Sequence, residues 1–337
     1  MTSLNLGIIG LGYWGPNLLR DFKDIQDVRV KYACDLDKNK LENLRAKYHD
    51  VYLEIDAENM IKDQSLDAIV ISTPASTHYE LAKAALENGK HVFLEKPMAK
   101  TVDECSSLVE IAERGDKILM IGHVYEHNTF INYLKKYISE GQLGKVEEMW
   151  ATRFALGPIR SDVTALWDLA SHDIGIFTSL SGNKPVSISA NGKSYEGKGK
   201  QSGSVSLYLY FDNDIGGDIR VSWGAPNKIR ELLVIGSKTT GHFDEVAFDR
   251  NLTFYDRGVD HIEPDATFSQ YRSKIRKGVA ISPFVDFKES LKEECRNFIE
   301  CIKNGSKPIT DGEYGMNVVR VLVAAERSLK ERKIVEI

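Results

Sequence analysis

Asp168 and His172, in "ALWDLASHDIG", carry the most direct chemical signal in this 337-residue chain. They stand four apart, so a helix places both on one face. Histidine titrates near neutrality and suits proton transfer with a hydroxyl group. A carboxylate beside it stabilises the charged ring. Asp173 neighbours His172 in sequence but faces elsewhere. Two segment ends carry further polar groups. "ISTPASTH" presents Ser72, Thr73 and Pro74, with His78 just behind them, and "FLEKPMAKT" presents Glu95, Lys96 and Pro97. A charged pair at the mouth of a buried strand is costly unless it is solvated or used. Taken alone, Lys96 reads as a surface lysine; its place at a strand end makes it a candidate for chemistry.

The third signal is "GIIGLGYWGPN", which holds Gly10-x-Gly12-x-x-Gly15 with Tyr13 and Trp14 inside the turn. A lone fingerprint is weak, and three features of its context strengthen it. It follows an apolar strand, Leu6–Ile9. It precedes an amphipathic helix near Pro16, where proline suits the first turn. Asp35 ends the next strand, where an acid would bind the adenosine ribose. Gly10 makes the tight turn, Gly12 lets the backbone approach a pyrophosphate at the positive end of the helix, and Gly15 lets helix and strand pack closely. Asp35 would repel a 2′-phosphate and Leu36 follows it, which favours NAD over NADP.

These residues need elements to hold them. Residues 1–122 alternate β-rich runs with amphipathic stretches. The strands are expected at Leu6–Ile9, Val28–Cys34, Ala68–Ser72, His91–Leu94 and Ile118–Ile121, and the helices at Asn17–Phe22, Lys38–Tyr48, His78–Asn88 and Val102–Arg114. Thr77 with Glu80 and Thr101 with Glu104 have capping-box spacing. Repeated strand–helix units predict a parallel, doubly wound sheet, whose ligands bind beyond the carboxyl ends of the strands. From residue 123 to 337 the pattern changes. Helices are expected at Asn128–Glu140, Ala165–Leu180, Asp286–Lys303 and Glu313–Lys330, with long alternating strands between them. Val205–Phe211 puts valine, leucines and phenylalanine on one face and Tyr208 and Tyr210 on the other. The fold expected is therefore α/β: a dinucleotide-binding domain over 1–122, then an α/β domain with a large, mainly antiparallel open sheet over 123–337. The tyrosine face needs a cover, most simply another subunit.

Bulk composition narrows the class. Apolar residues are 42% and charged residues 28%, with a net charge of −5, which argues against nucleic acid or a membrane surface as partner. No apolar run approaches the ~18–20 residues that span a bilayer. The four cysteines are scattered without a C-x-x-C pair, and no secretory signal is visible, so the expectation is a cytoplasmic protein with reduced thiols and no metal site.

The glycine fingerprint with Asp35, "STPASTH", "LEKP" and Asp168-x-x-x-His172 occur together and in order, and with them the chain resembles the Gfo/Idh/MocA oxidoreductases. The resemblance implies a Rossmann domain, a C-terminal α/β domain whose sheet forms a subunit interface, and NAD as cofactor. It implies that Lys96 binds and polarises the reacting hydroxyl, that His172 is the general base and that Asp168 orients or charge-balances the site. It also places Gly10, Gly12, Tyr13, Trp14, Gly15, Asp35, Ser72, Thr73, Pro74, His78, Glu95 and Lys96 around the cofactor. Substrate would then meet Lys96, Tyr125, Asn128, Arg160, Asp168 and His172. In "GHVYEHN" many relatives carry an arginine near Glu126. A narrower similarity lies in "GYWGPNLLRDF", "GPIRSDVTALWDLASHDI" and the stretch from "EECRNFIECIKNG" to "LVAAERSL". These look like members that oxidise the 3-hydroxyl of UDP-N-acetylglucosamine or its uronic acid to a 3-keto sugar, for 3-amino sugars of surface polysaccharide or lipid A. The basic stretch "YRSKIRKG", read as a loop, is either a solvated charge run, the commoner case, or a site where Arg272, Lys274 and Arg276 face a pyrophosphate. The rival enzyme readings are a ketoreductase of a dTDP-keto-sugar and an inositol-type polyol dehydrogenase.

Overall fold

The structure is a computed structural model, and it describes residues 3–157, 162–193, 203–262 and 272–337. The chain divides into two compact units. The first comprises residues 1–128 and 288–323, the second 129–287 and 324–337.

The first unit winds β1 (Leu4–Ile9), α1 (Gly15–Lys23), β2 (Val28–Cys34), α2 (Lys38–Arg45), β3 (Tyr52–Glu54), α3 (Ala57–Lys62), β4 (Ala68–Ile71), α4 (His78–Glu87), β5 (His91–Glu95), α5 (Val102–Arg114) and β6 (Leu119–Gly122). The six strands are parallel, in the order β3-β2-β1-β4-β5-β6. β4 and β6 are buried along their whole length, as a parallel sheet covered on both faces requires. β3 and α3 carry too weak a period to stand out in the sequence. α5 starts on the capping box of Thr101 and Glu104. Thr77 does not cap α4: its hydroxyl bonds Thr73 Oγ1 and the Pro74 carbonyl and is spent on the preceding loop.

Sequence patterning showed a single change near residue 122. The structure shows the chain returning, because the helix over Ser290–Asn304 is amphipathic and buries Leu291, Cys295, Phe298 and Ile299 in the core beneath α1. Phe22, Phe93 and Phe298 meet edge to face at centroid distances of 5.7–6.1 Å. Such a pairing joins segments some two hundred residues apart, and no local period announces it.

The second unit holds α6 (Thr129–Ser139), β7 (Val146–Leu156), α7 (Ser171–Ser181), β8 (Pro185–Lys193), β9 (Ser204–Phe211), β10 (Gly216–Ser222), β11 (Gly224–Gly236), β12 (Thr240–Asp244), β13 (Leu252–Ile262), β14 (Arg272–Ile281) and β15 (Val335–Glu336). The helix over Ser290–Asn304 is α8, and α9 (Gly312–Glu331) follows it. The sheet runs β14-β13-β12-β11-β7-β10-β9-β8-β15 and is antiparallel except for β10 against β7. Register explains its faces. Ala190, Leu207, Ile219, Ala151, Leu232, Phe243 and Leu252 lie opposite one another across seven strands, and all are buried. Phe177 of α7 lies so close to Gly217 that a Cβ there would stand 2.7 Å from its ring. The adjacent row puts Tyr208, Asp218 and Trp150 on the other face, where Trp150 is exposed. The basic stretch read as a loop is instead strand β14, paired with β13. Alternating Ile275, Val279 and Ile281 give it a strand period that its charges mask.

Candidate active site

In the first unit the turn after β1 lies at the carboxyl end of the sheet. Gly10 has φ +94°, and a Cβ there would stand 2.8 Å from the Ser72 main chain. A Cβ on Gly15 would collide with the Gly10 carbonyl oxygen, so α1 approaches β1 only because that atom is missing. A Cβ on Gly12 would meet nothing within 4 Å. Gly12 is therefore not required by the fold, and the space before it is open for a ligand. Ser72 Oγ donates to the Gly10 carbonyl at 2.8 Å and ties this turn to β4. The first turn of α1 carries no acidic side chain, so its positive end faces outward uncompensated. The Asp35 carboxylate accepts the N–H of Leu11 at 2.6 Å and that of Asp37 at 2.9 Å, and Lys40 Nζ stands 3.3 Å away. Tyr13 is exposed and meets Trp14 edge to face at 5.4 Å. An open cradle, a free helix N-terminus and a carboxylate held at the end of β2 together fit a dinucleotide.

The mouths of β4 and β5 lie beside this turn in the sheet order. Glu95, Lys96, Pro97, Met98 and Ala99 are all buried. The Glu95 carboxylate packs against Gly122, where a Cβ would stand 3.2 Å from it. His78 is fully buried: Nε2 lies 2.9 Å from the Thr73 carbonyl and Nδ1 lies 2.7 Å from that of Pro97. It thus meets the loops from within. Tyr125 and Asn128 are buried in the short turn after β6. So are His123 and His127, whose Nδ1 and Nε2 respectively have no hydrogen-bond partner among the described residues. Burial, helped by the Lys96 charge, lowers His123 to about 3, and burial lowers His127 to about 4.

Two groups here give little signal in the sequence. Tyr314 of α9 donates its hydroxyl to Glu126 at 3.0 Å and stacks edge-on with His123 at 5.1 Å. Burial first, then the Glu126 charge, raises that phenol well above its usual range. Glu294 of α8 is fully buried with neither oxygen partnered among the described residues. Burial, with the Glu95 charge adding, raises it far above an ordinary carboxyl. Sequence distance hides both: nothing in "DGEYG" or "EECRN" points back to residue 95 or 126.

In the second unit Asp168 and His172 do not share one α-helix as expected. Leu166–Ala170 is a π-helical turn, which passes into α7 at Ser171. Local π turns concentrate at functional sites. From Thr164 to Phe177 every residue is buried except Asp168 and His172, which are partly exposed. Asp173 is spent on structure, since Arg153 of β7 binds it through two buried hydrogen bonds at 2.7 and 3.0 Å. Trp167 Nε1 donates to Glu326 at 2.6 Å and anchors the same turn. Arg160 lies outside the described residues, as do the side chains of Arg272 and Lys274. Arg276 binds Asp256 at 2.9 Å and the Lys238 carbonyl at 2.6 Å, so this guanidinium is committed within the sheet.

The pattern of an oxidoreductase family with an NAD-binding Rossmann fold matches residues 4–123, and that of the GFO/IDH/MocA C-terminal domain matches residues 131–241. The chain is 27% identical to a 1-carboxy-3-chloro-3,4-dihydroxycyclohexa-1,5-diene dehydrogenase of Comamonas testosteroni, over 68% of this chain and 60% of that one. It is 24% identical to the myo-inositol 2-dehydrogenase of Thermotoga maritima, over 99% and 98% of the two chains. A solved UDP-N-acetylglucosamine 3-dehydrogenase from Acidithiobacillus ferrooxidans shares the fold, with TM-score 0.80, 20% identity and coverage of 98% and 99%.

Proposed function

The chain belongs to the Gfo/Idh/MocA oxidoreductase family, and we propose that it oxidises a secondary hydroxyl of a sugar or polyol with NAD. The observation that carries this reading is the selective exposure of Asp168 and His172 in an otherwise buried segment. When bound, NAD supplies the hydride acceptor. Gly12, the N-terminus of α1 and Asp35 hold its pyrophosphate and ribose. Lys96 binds and polarises the reacting hydroxyl, and His172 takes its proton. Asp168 balances the charge that His172 acquires. Ser72, Thr73, Pro74 and Glu95 shape the strand mouths that orient the reacting groups.

The finer reading is a UDP-N-acetylhexosamine, oxidised at the 3-hydroxyl for 3-amino sugar synthesis. Its support is the likeness of the segments around Trp14, Trp167 and α8 to that class of dehydrogenase. An inositol-type polyol is a second reading, favoured by the end-to-end match with the Thermotoga maritima protein. The reading includes a cytoplasmic location, supported by four cysteines that are free and buried. It also includes a homodimer or homotetramer formed through the open sheet, supported by the exposed Trp150, Ile275, Val279 and Ile281. NADH absorbance is the test, with UDP-N-acetylglucosamine, its uronic acid and myo-inositol offered separately, each with and without a keto-trapping aminotransferase and its amino donor. Turnover confined to a UDP-sugar supports the finer reading, and turnover confined to inositol replaces it. Unchanged turnover in Lys96→Ala and His172→Ala would defeat the catalytic roles.

A further inference from the structure

His78 stands where two loops of the first unit meet. Its ring is completely enclosed. Nδ1 lies 2.7 Å from the carbonyl oxygen of Pro97, just past Lys96, and Nε2 lies 2.9 Å from that of Thr73, just past β4. A carbonyl oxygen has no proton to give, so each short contact needs an N–H from the ring. A neutral imidazole has one N–H only. Its second nitrogen would point a lone pair at a carbonyl oxygen, in a place water does not reach, and would leave two buried polar atoms unsatisfied. A doubly protonated ring satisfies both carbonyls at once. The two distances fall in the range of charge-assisted bonds, about 2.7–2.9 Å.

We propose that His78 is a buried imidazolium that clasps the β4 and β5 mouths together, and that this clasp is what positions Lys96. The local sequence builds it. Pro74 cannot donate a backbone N–H, and Thr77 spends its hydroxyl on Thr73 and on the Pro74 carbonyl. The loop is thereby wound so that the ring at the start of α4 turns back under residue 73. On the other side the ring grips the main chain one residue after Lys96, inside a run that is buried from Glu95 to Ala99. Glu95 and Lys96 end β5 and supply one charge of each sign. Glu80 on α4 and Asp103 on α5 are exposed to solvent, and Glu104 caps α5. Cys105 on α5 is buried, and its thiol is pushed up to about 12 and stays neutral. The buried positive charge is held by the two carbonyl dipoles, and Glu95 at the end of β5 is a buried carboxylate. His78 is a positioning residue, since it acts through the Pro97 main chain. Its importance to turnover rests on the role proposed for Lys96, but the clasp itself does not.

Nitrogen NMR on the full chain labelled with ¹⁵N-histidine tests the protonation state without any substrate. The expected result is one ring of the eight with both nitrogens protonated at pH values well above the ordinary midpoint of about 6.5. Its signals should be absent from His78→Gln. If that variant does not fold, the titration of the wild-type chain still decides, because either one ring keeps both protons at high pH or none does. A second arm uses ¹³C-lysine labelling, with Lys96 assigned through Lys96→Met. In His78→Gln the Lys96 side-chain resonance should move, while that of the buried Lys90, held by the Asp63 and Leu66 carbonyls, stays in place. A neutral tautomer at pH 7, or an unmoved Lys96 resonance, overturns the proposal. A doubly protonated ring in a protein that oxidises none of the sugars would sink the functional reading and leave the clasp standing.

Discussion

The glycines of the first turn invite a test that separates folding from binding, because the structure gives each a different reason to be glycine. Gly12→Ala adds a methyl group to open space, with no atom within 4 Å and no left-handed φ to violate. Stability should hold or rise by about 0.4–1 kcal/mol, since alanine restricts the unfolded chain. The same methyl group stands in the approach of the pyrophosphate. Losing one charge-assisted hydrogen bond there costs about 1.5–3 kcal/mol, which is about 10- to 150-fold in the NAD dissociation constant. Gly15→Ala reverses the outcome. Its Cβ falls on the Gly10 carbonyl oxygen, a main-chain atom that cannot swing aside. Overpacking of that kind costs about 1–3 kcal/mol or more. Gly10→Ala joins it, with φ +94° and the Ser72 main chain 2.8 Å away. The assays are urea unfolding for stability and calorimetric titration with NAD for affinity. Wild-type NAD affinity in Gly12→Ala would refute the assignment of this turn to the cofactor. A loss of stability in Gly12→Ala as large as in Gly15→Ala would refute the steric reasoning.

Acid should destabilise the first unit through two of its buried histidines. His123 and His127 are lowered to about 3 and about 4 in the folded protein, so below the unfolded midpoint of about 6.5 the unfolded chain binds more protons. Their neutral forms give a stability that is present above that midpoint and is lost as pH falls toward the folded values, about 2 kcal/mol for each between pH 7 and pH 5. Urea midpoints at the two pH values check this, and His123→Asn and His127→Asn should each flatten the loss. Asp35→Ala removes the acceptor of the Leu11 and Asp37 N–H groups and leaves Lys40 in place, so NAD should bind more weakly and the preference for NAD over NADP should shrink, as measured by parallel titrations. Arg153→Met strands the buried Asp173 carboxylate, and calorimetry should find the second unit destabilised by about 3–5 kcal/mol.

Local patterns were legible wherever one segment decides its own state. The parallel sheet, the Thr101 capping box and the glycine turn with Asp35 all follow from periods, caps and spacings within some 25 residues. The basic stretch 271–278 misled, because its charges hid the alternation of Ile275, Val279 and Ile281 that pairs it as β14. Thr77 had capping spacing, yet its hydroxyl found closer acceptors in the loop before it.

The sequence by itself determined the dinucleotide turn and the residue types at the strand mouths, because each depends on backbone geometry that neighbours in the chain set. Tertiary structure alone decided that α8 and most of α9 return to the first unit. It decided that Glu294 and Tyr314 face the groups around Glu95 and Glu126, and that His78 meets two carbonyls. Those outcomes depend on which apolar faces bury one another and on which polar atoms are cut off from water as they do, and residues far apart in sequence share neither property until the core has formed.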